Sequence, residues 1–332
     1  MREKQHEPIA FELAQSVKIQ NQKILYLCDS DKEARLIKNE LLLFMNDDEI
    51  GYYPEREILP YDRFSTADSI IQQRIKLLNA DKTKIKIIIT SCINLFEKLP
   101  SKNFFISRKI FKIGDTLTIK DLTTSLEILK YERVDKVSSI NQYTVRGGVV
   151  DFYSGFQLNP IRVDFFGDQI DEIREFDPKT QNMTSKLSEF KLYTGSEINL
   201  DEDSIGNFKF AWRNYFQSHD ERHCEIFQSL ASGKYPEGYE IYNPLIQEGD
   251  SNLIDYFAGY NLIACEHIDQ SLSSYKAFVE ERYLEESIDS TRPILKPHDY
   301  IFTIKELQLY IETAKKIVVT NDNPIIDNSL QK

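Results

Sequence analysis

The sequence predicts an α/β protein in which a mostly parallel, doubly wound sheet is built from both ends of the chain. In the first third of the chain, short apolar segments alternate with amphipathic ones. The middle is a run of short strands joined by tight turns, and the alternating pattern returns in the last third. Because two segments of like architecture flank a different one, we expect one interrupted α/β domain with a small β-rich (α+β) domain inserted in it.

Three apolar segments in the first third are predicted to be strands of the parallel sheet. They are Lys23–Cys28, Ile50–Pro54 and Lys86–Thr90. The third is continuously apolar and rich in β-branched residues, which is typical of a strand buried on both faces. A helix over Lys32–Phe44 follows the first strand, and a short helix from Ser91 to Phe96 follows the third.

The other α/β elements are predicted from the same periodicities. A helix through Ile70–Leu78 follows Ser65 and Asp68, whose spacing resembles a capping box. In the last third we expect helices over Asn207–His219 and Ser271–Glu285, and strands over Leu253–Phe257, Asn261–Cys265 and Lys316–Thr320.

The middle stretch, Tyr143–Gln181, carries the strongest hairpin signals. Gly147-Gly148 follows an arginine in a tight turn, and Gly167-Asp168 sits between two hydrophobic runs as a hairpin signal. In the segment IRVDFF, strict alternation places Ile161, Val163 and Phe165 on one face and Arg162, Asp164 and Phe166 on the other. If the first face is core, the second exposes an arginine and a phenylalanine, a combination enriched at protein interfaces. The alternative is that Phe166 caps the hairpin or packs under a loop.

The charge of the chain is unevenly distributed. The net charge is -12, which argues against a general nucleic-acid binder, because phosphate contacts need a basic surface. Residues 108–195, however, contain 13 basic and 13 acidic residues, so the remainder carries the whole excess. This contrast predicts domain borders that make 1–107 the first part of the α/β domain, 108–195 the inserted domain and 196–332 the second part.

The α/β layer lacks the motif that would make it a nucleotide hydrolase. GxxxxGK[ST], whose backbone amides and lysine hold the phosphates, does not occur, and Gly233-Lys234 is followed by Tyr235 instead of a hydroxyl side chain that could hold magnesium. There is no GxSxG elbow either. His219 and His223 have helical spacing for zinc, but no HExxH pattern is present. We therefore expect no catalytic residue, no cofactor and no metal in this chain.

The remaining global features predict a cytoplasmic protein. No apolar run approaches the roughly 20 residues of a membrane span. The first residues, MREKQHEPIAFELAQ, lack the apolar core of a signal peptide. The four cysteines have no CxxC spacing, so they are expected to be reduced and not to form disulfides or bind zinc.

Several segments, taken in order along the chain, resemble one family. The resemblance is to the N-terminal UvrB-homology module of bacterial transcription-repair coupling factor (Mfd), which is similar in turn to the damage-recognition protein UvrB. It implies a degenerate helicase (RecA/P-loop-like) layer with an inserted UvrA-docking domain, and a chain that is an N-terminal fragment. In the full-length family proteins, RNA polymerase would bind one later domain, and DNA would bind another, an ATP-driven translocase. The segments are EREILPYDRFSTADSIIQQRIKLL, LFEKLP, YTVRGGVVDFY, IRVDFFGDQIDEIREFDPKTQ, SGKYPEGYEIYNPLI and RPILKP.

The family's docking motif for UvrA maps onto Arg146 in TVRGG and onto Arg162 and Phe166 in IRVDFF. Arginine suits this role because its planar fork pairs with acidic groups and keeps its charge when partly desolvated. Arg174 is a secondary candidate, since its acidic neighbours could hold it in surface ion pairs. Arg146 could instead brace the Gly147-Gly148 turn through a carbonyl. The resemblance therefore implies a non-catalytic recruitment module of transcription-coupled nucleotide excision repair, which directs UvrA to stalled RNA polymerase.

Two further interpretations stay open. One is a UvrB-like, ATP-dependent DNA-damage recognition protein that grips DNA; the missing phosphate loop and the short connection Tyr53–Ser65, which leaves little room for UvrB's long aromatic hairpin, count against it. The other is that the C-terminal part of the full-length family protein masks the docking surface. Masking would weaken the apparent affinity for UvrA in proportion to the fraction of open molecules.

Overall fold

The computed structural model describes residues 9–105, 110–217, 219–247, 251–313 and 316–318. The predicted border at 107/108 and the end of the predicted strand at Thr320 lie outside these ranges. The strands are β1 (Ile24–Cys28), β2 (Ile50–Tyr53), β3 (Ile87–Ser91), β4 (Ile110–Lys112), β5 (Glu132–Arg133), β6 (Gln142–Arg146), β7 (Val149–Tyr153), β8 (Ile161–Phe166), β9 (Gln169–Phe176), β10 (Met183–Leu187), β11 (Glu189–Lys191), β12 (Asn261–Ala264) and β13 (Lys316–Val318).

The α-helices alternate with these strands at both ends of the chain. They are α1 (Ile9–Gln20), α2 (Asp31–Leu41), α3 (Asp68–Leu78), α4 (Ile119–Ile128), α5 (Glu202–Tyr215), α6 (Glu225–Ala231), α7 (Asn243–Ile246), α8 (Leu253–Tyr256), α9 (Ile268–Glu286), α10 (Pro297–Tyr300) and α11 (Ile304–Thr313). Short 3₁₀ helices occur as well, including Cys92–Phe96 after β3.

A five-stranded parallel sheet in the order β13-β12-β1-β3-β2 joins the two ends of the chain. β1 pairs in parallel with β12 on one side and with β3 on the other. Side chains alternate along β1: Ile24 and Tyr26 pack with α1 and α2, whereas Leu25 and Leu27 join the larger core on the opposite face. Every position of β1 and β3 is buried, as expected for strands covered on both faces. The prediction of a parallel sheet built from both chain ends is confirmed.

Two local predictions were wrong. Leu253–Phe257 is not a strand: Leu253–Tyr256 forms the helix α8, which starts at a capping box between Asn252 and Asp255. A short apolar run fits a buried strand or a buried helical turn equally well. Ser65 does not cap α3, which has Ala67 at its N-cap with no side-chain hydrogen bond. The hydroxyl of Ser65 instead donates a hydrogen bond to Glu240 and accepts one from the Gly238 amide.

The middle of the chain forms a second sheet with its own core. Its six strands follow the order β10-β9-β8-β7-β6-β5, antiparallel except for the short parallel pair β5–β6, and β4 pairs with β11 beside it. Phe152, Val163 and Ile173 from the sheet pack against Leu122 and Leu126 of α4. The β-rich segment predicted between the two α/β segments is therefore present, and both predicted hairpin turns connect neighbouring strands.

A largely buried network of four charged side chains links α3 and the loops of the α/β layer to the segment that follows β11. Arg74 of α3 is fully buried and bonds both Glu97 and Glu197, and Arg56 bonds the same two carboxylates. The ring of Tyr53 lies under the Arg74 guanidinium, 4.2 Å from its centroid. Because Glu197 lies just after the β-rich segment, this network anchors the chain where it returns to the α/β layer.

The Gly167-Asp168 turn depends on a backbone conformation that favours glycine. Gly167 has φ +61°, so Gly167→Ala is expected to destabilise the protein by about 1 kcal/mol.

Gly206 provides the contrasting case. It lies inside α5 with open space around the position of a Cβ, so Gly206→Ala should stabilise the protein by about 0.5–1 kcal/mol. Urea denaturation of both variants tests this, and equal effects at the two positions would contradict it.

Among the described residues, no helix is both long enough and apolar enough to span a membrane.

Candidate functional site

The outer face of the strands β6–β9, opposite the core of the second sheet, brings the predicted docking residues together. In the register of the sheet, Asp151 lies opposite Arg162, and Arg162 lies opposite Arg174. Arg146 stands one row further along β6, and Phe166 stands at the end of β8 beside the Gly167 turn. Since side chains alternate between faces, all of these residues share one face. We call Arg146, Asp151, Arg162, Phe166 and Arg174 the arginine face.

Asp151 is the buried anchor of the arginine face. Its side chain is only 1% exposed, and its two oxygens accept bonds from Arg162 Nε and Nη2, both at 2.7 Å. Arg146 Nη2 adds a third bond to the same carboxylate at 2.9 Å. Two guanidinium groups therefore converge on one carboxylate. Arg146 braces the hairpin through this side chain rather than through a carbonyl.

Arg162 is fixed on two sides. Asp151 holds one edge of the guanidinium group of Arg162. The guanidinium carbon lies over the ring of Phe176, 4.7 Å from the ring centroid. The hydrogen bonds that Arg162 donates to Asp151 raise the pKa of Arg162, although burial works in the opposite direction. Arg162 is less than a quarter exposed, whereas the side chain of Arg146 is about half exposed. The pair thus combines a fixed cation with a more accessible one.

Arg174 belongs to a different charge network on the same face. It pairs with Asp164 and, at 3.3 Å, with Glu172, as expected from the acidic residues around it. Lys186 bonds Glu172 at 2.7 Å and holds the pKa of that carboxyl below its usual value. Arg174 and Lys186 are therefore paired with two carboxylates, whereas Arg146 and Arg162 share one.

Phe166 is the exposed apolar side chain of the arginine face. It is 81% exposed at the hairpin tip, so the alternative that it packs under a loop was wrong. Ile161 and Val163 are fully buried on the opposite face, and Phe165 packs against that core. The alternation in IRVDFF therefore placed each side chain of β8 on the correct side of the sheet.

Sequence reasoning missed Asp151 and Phe176. A signal existed for Asp151: it is a carboxylate in the apolar strand VVDFY, where a buried charge needs a partner. Which cation meets it depends on the register between β7 and β8, which the sequence pattern did not specify. Phe176 gave no comparable signal, because any aromatic residue at the end of a strand is equally consistent with simple packing.

The junction of β1 and α2, where a P-loop protein holds phosphate, is occupied by acidic side chains. Glu33 accepts a bond from the Asp29 amide, and Glu55 accepts one from the Asp31 amide. Burial raises the pKa of both Glu33 and Glu55. Backbone amides that could bind an anion are therefore already bonded to the chain's own carboxyl groups.

Other candidate sites have structural roles. His223, the last residue of a short 3₁₀ helix, contacts Asp220 at the N-cap of the same helix, with 3.2 Å between Nδ1 and the carboxylate. Within the part of the chain that the structure describes, no group of three or more His, Cys, Asp or Glu side chains is arranged to hold a metal ion. All four cysteines are free thiols in buried positions.

Comparison with known proteins matches the middle of the chain to a named domain. The model of the UvrB interaction domain family matches residues 110–197, which contain the whole six-stranded sheet. This part of the chain is therefore similar to the UvrB interaction domain.

Curated relatives extend the match over most of the chain. It is 27% identical to the transcription-repair-coupling factor of Rickettsia prowazekii over 91% of its own length and 28% of that protein. It is 27% identical to the Haemophilus influenzae protein of the same name, over 90% of this chain and 26% of that protein. It is 29% identical to the Escherichia coli protein, over 76% of this chain and 22% of that protein. The chain spans about a quarter of the length of these relatives. The resemblance is confirmed: the chain is a relative of the transcription-repair-coupling factors.

Proposed function

We propose that this chain is a non-catalytic recruitment module of transcription-coupled nucleotide excision repair, and that it docks UvrA through the arginine face. The observation that carries the proposal is the convergence of Arg146 and Arg162 on buried Asp151, on the same face as the 81% exposed Phe166. Arginine and phenylalanine are both enriched at protein interfaces relative to the rest of the surface, and arginine is among the residues most enriched at binding hot spots. In the full-length protein, RNA polymerase and DNA would bind to later domains, so that docking directs repair to a stalled polymerase.

The α/β layer serves in this proposal as a degenerate helicase-like scaffold. Two observations support this role. The sequence has no phosphate loop, and the amides of Asp29 and Asp31 at the β1–α2 junction are bonded to Glu33 and Glu55. A nucleotide phosphate placed there would displace these bonds and meet like charge. The proposal therefore includes neither ATP turnover nor a cofactor in this chain.

A UvrB-like, ATP-dependent protein that grips damaged DNA is the competing function. It would show nucleotide turnover and DNA binding that weakens steeply with salt. The net charge of -12 and the acidic β1–α2 junction favour the recruitment module.

Masking of the arginine face by the C-terminal part of the full-length protein is compatible with docking. The same exposed ring and arginines that would bind UvrA could bind a surface of their own chain. Masking lowers the apparent affinity by the fraction of molecules that are open. A full-length protein that binds UvrA as tightly as this chain would argue against masking.

Phe166→Ala tests the proposal most cleanly. Burying this ring against a partner contributes about 2 kcal/mol, so UvrA binding should weaken roughly 30-fold. Because the ring is 81% exposed in the free protein, the variant should keep the stability of the unaltered chain. Isothermal titration calorimetry with UvrA gives the affinity, and urea denaturation gives the stability.

Leu158→Ala is the matched control, since Leu158 is 90% exposed in the same sheet domain but lies outside the arginine face. We expect it to leave UvrA binding unchanged. Equal affinities of the Phe166→Ala and Leu158→Ala variants would place the docking surface elsewhere. No measurable binding of UvrA by the unaltered chain would overturn the proposed function itself.

A further inference from the structure

We propose that Asp151 and Phe176 are positioning residues, which hold the guanidinium groups of Arg162 and Arg146 ready to receive a carboxylate of the partner. The inference rests on the docking function proposed above and adds to it the chemical class of the partner's contact group, an acidic side chain. Asp151 and Phe176 themselves are almost fully buried, so they would act through the arginines and not by touching the partner.

The bonds of Asp151 determine which part of Arg162 remains for a partner. Arg162 uses the edge formed by Nε and Nη2 to bond the two oxygens of Asp151. A side-on pair of this kind leaves Nη1 and the second hydrogen of Nη2, which together form the fork that pairs bidentately with carboxylates. The side chain is 23% exposed, so only part of it reaches solvent.

Phe176 restricts the remaining freedom of the Arg162 guanidinium. Its ring is 1% exposed and lies 4.7 Å from the guanidinium carbon. With one edge held by Asp151 and the plane held by Phe176, the guanidinium has little rotamer entropy left to lose when a partner binds. Fixing a group in its bound conformation strengthens binding because that cost is removed beforehand.

The local charge favours an acidic partner group. Arg146 and Arg162 both bond the single carboxylate of Asp151, so two positive charges are hydrogen-bonded to one negative charge. Arg174 differs, because Asp164 and Glu172 both bond it. A carboxylate that approached Arg146 and Arg162 would complete the pairing and add charge-assisted hydrogen bonds.

Asp151→Asn is the decisive variant, because asparagine keeps the size of the side chain but offers one acceptor oxygen and an NH₂ group that faces the guanidinium. We expect UvrA to bind about tenfold more weakly, since the arginines lose their fixed orientation. Asp164→Asn is the control: it removes a carboxylate from the same face that bonds Arg174, and UvrA affinity should change less than about twofold. Titration calorimetry of the full chain with UvrA measures both.

Two additional readouts separate positioning from a general effect on folding. In an Arg146→Ala/Arg162→Ala background, Asp151→Asn should cause no further loss of UvrA binding, since it acts only through these arginines. It should also recover stability in that background, because the buried carboxylate of Asp151 has there lost both arginines that bond it. Phe176→Leu, which keeps an apolar side chain but removes the ring, should weaken UvrA binding in the unaltered background alone. The Nε–H resonance of Arg162 in ¹⁵N–¹H spectra should move toward that of a free arginine in both single variants.

The outcomes are distinguishable. UvrA affinity that is unchanged or increased in Asp151→Asn overturns the positioning role, and so does an equal loss in both backgrounds, which would indicate damage to the fold. If the unaltered chain binds no UvrA, the docking function fails. The Arg162 Nε–H resonance then still decides whether Asp151 and Phe176 order the guanidinium: an unshifted resonance in both variants would overturn the inference.

Discussion

Arg74→Ala is expected to destabilise the α/β layer by about 3 kcal/mol, because it removes one of the two cations of a largely buried network and leaves Arg56 alone to pair with two carboxylates. Arg74 is fully buried, where it bonds Glu97 and Glu197 and donates to the Pro54 carbonyl at 2.7 Å. Glu197 is itself only 5% exposed, so water cannot replace the lost partner. A loss of this size is a large part of the total stability of a typical domain.

The fluorescence of Trp212, the single tryptophan of the chain, measures this prediction in urea denaturation. Trp212 is buried in the same core that packs around the α/β layer, so its emission follows that unit. Arg213→Ala provides the matched control, since Arg213 makes a bidentate pair with Glu221 at the surface. Exposed pairs of this kind contribute little. Similar shifts of the denaturation midpoint in the two variants would argue against a structural role for the buried network.

The pH dependence of the stability tests whether the ion pairs of Glu197 cause the loss in Arg74→Ala. Burial alone would raise the pKa of Glu197, but Arg56 and Arg74 outweigh it and hold the pKa below its ordinary value. A carboxyl group whose pKa is lower in the folded than in the unfolded protein stabilises the fold when it is ionised. This contribution is complete above the pKa of the unfolded state, about 4.3, and is lost as the pH falls through the pKa of the folded state. The unaltered chain should therefore lose stability as the pH drops below about 4, and Arg74→Ala should lose less over the same range.

The strands that carry the fold were predictable because their signals are local. β1 and β3 are continuous apolar runs, and β8 alternates with a period of two residues, so burial alone determines their place in a sheet. The turn at Gly167 was predictable for the same reason, since its geometry depends on two adjacent residues. Such features need no knowledge of the rest of the chain.

Features that depend on distant partners were not predictable. Ser65 bonds Glu240, and Arg74 bonds Glu197, more than a hundred residues along the chain in each case. Neither side chain differs in sequence from an ordinary capping or surface residue. The arginine face lies between these extremes: Arg162 and Phe166 were placed on one face by alternation, but the link through Asp151 required the pairing of β7 with β8.

Removing the arginine face as a unit should reduce UvrA binding by at least about 1,000-fold. Phe166 accounts for about 2 kcal/mol of this, and each arginine adds about 1.5 kcal/mol or more if it makes a charge-assisted bond to the partner. The simple triple variant Arg146→Ala/Arg162→Ala/Phe166→Ala would leave Asp151 buried without a cation, which would destabilise the sheet. Adding Asp151→Ala removes this orphan charge, so the fourfold variant should stay folded.

A second triple variant controls for composition. Arg213→Ala/Arg222→Ala/Phe210→Ala also removes two arginines and one exposed phenylalanine, but from α5 and the segment after it in the α/β layer. It should bind UvrA as the unaltered chain does. Surface plasmon resonance with immobilised UvrA compares the three proteins, and circular dichroism confirms that each is folded. A folded fourfold variant that still binds UvrA would show that docking uses another surface. Equal losses of binding in the fourfold variant and in this control would mean that binding does not depend on the geometry around Asp151.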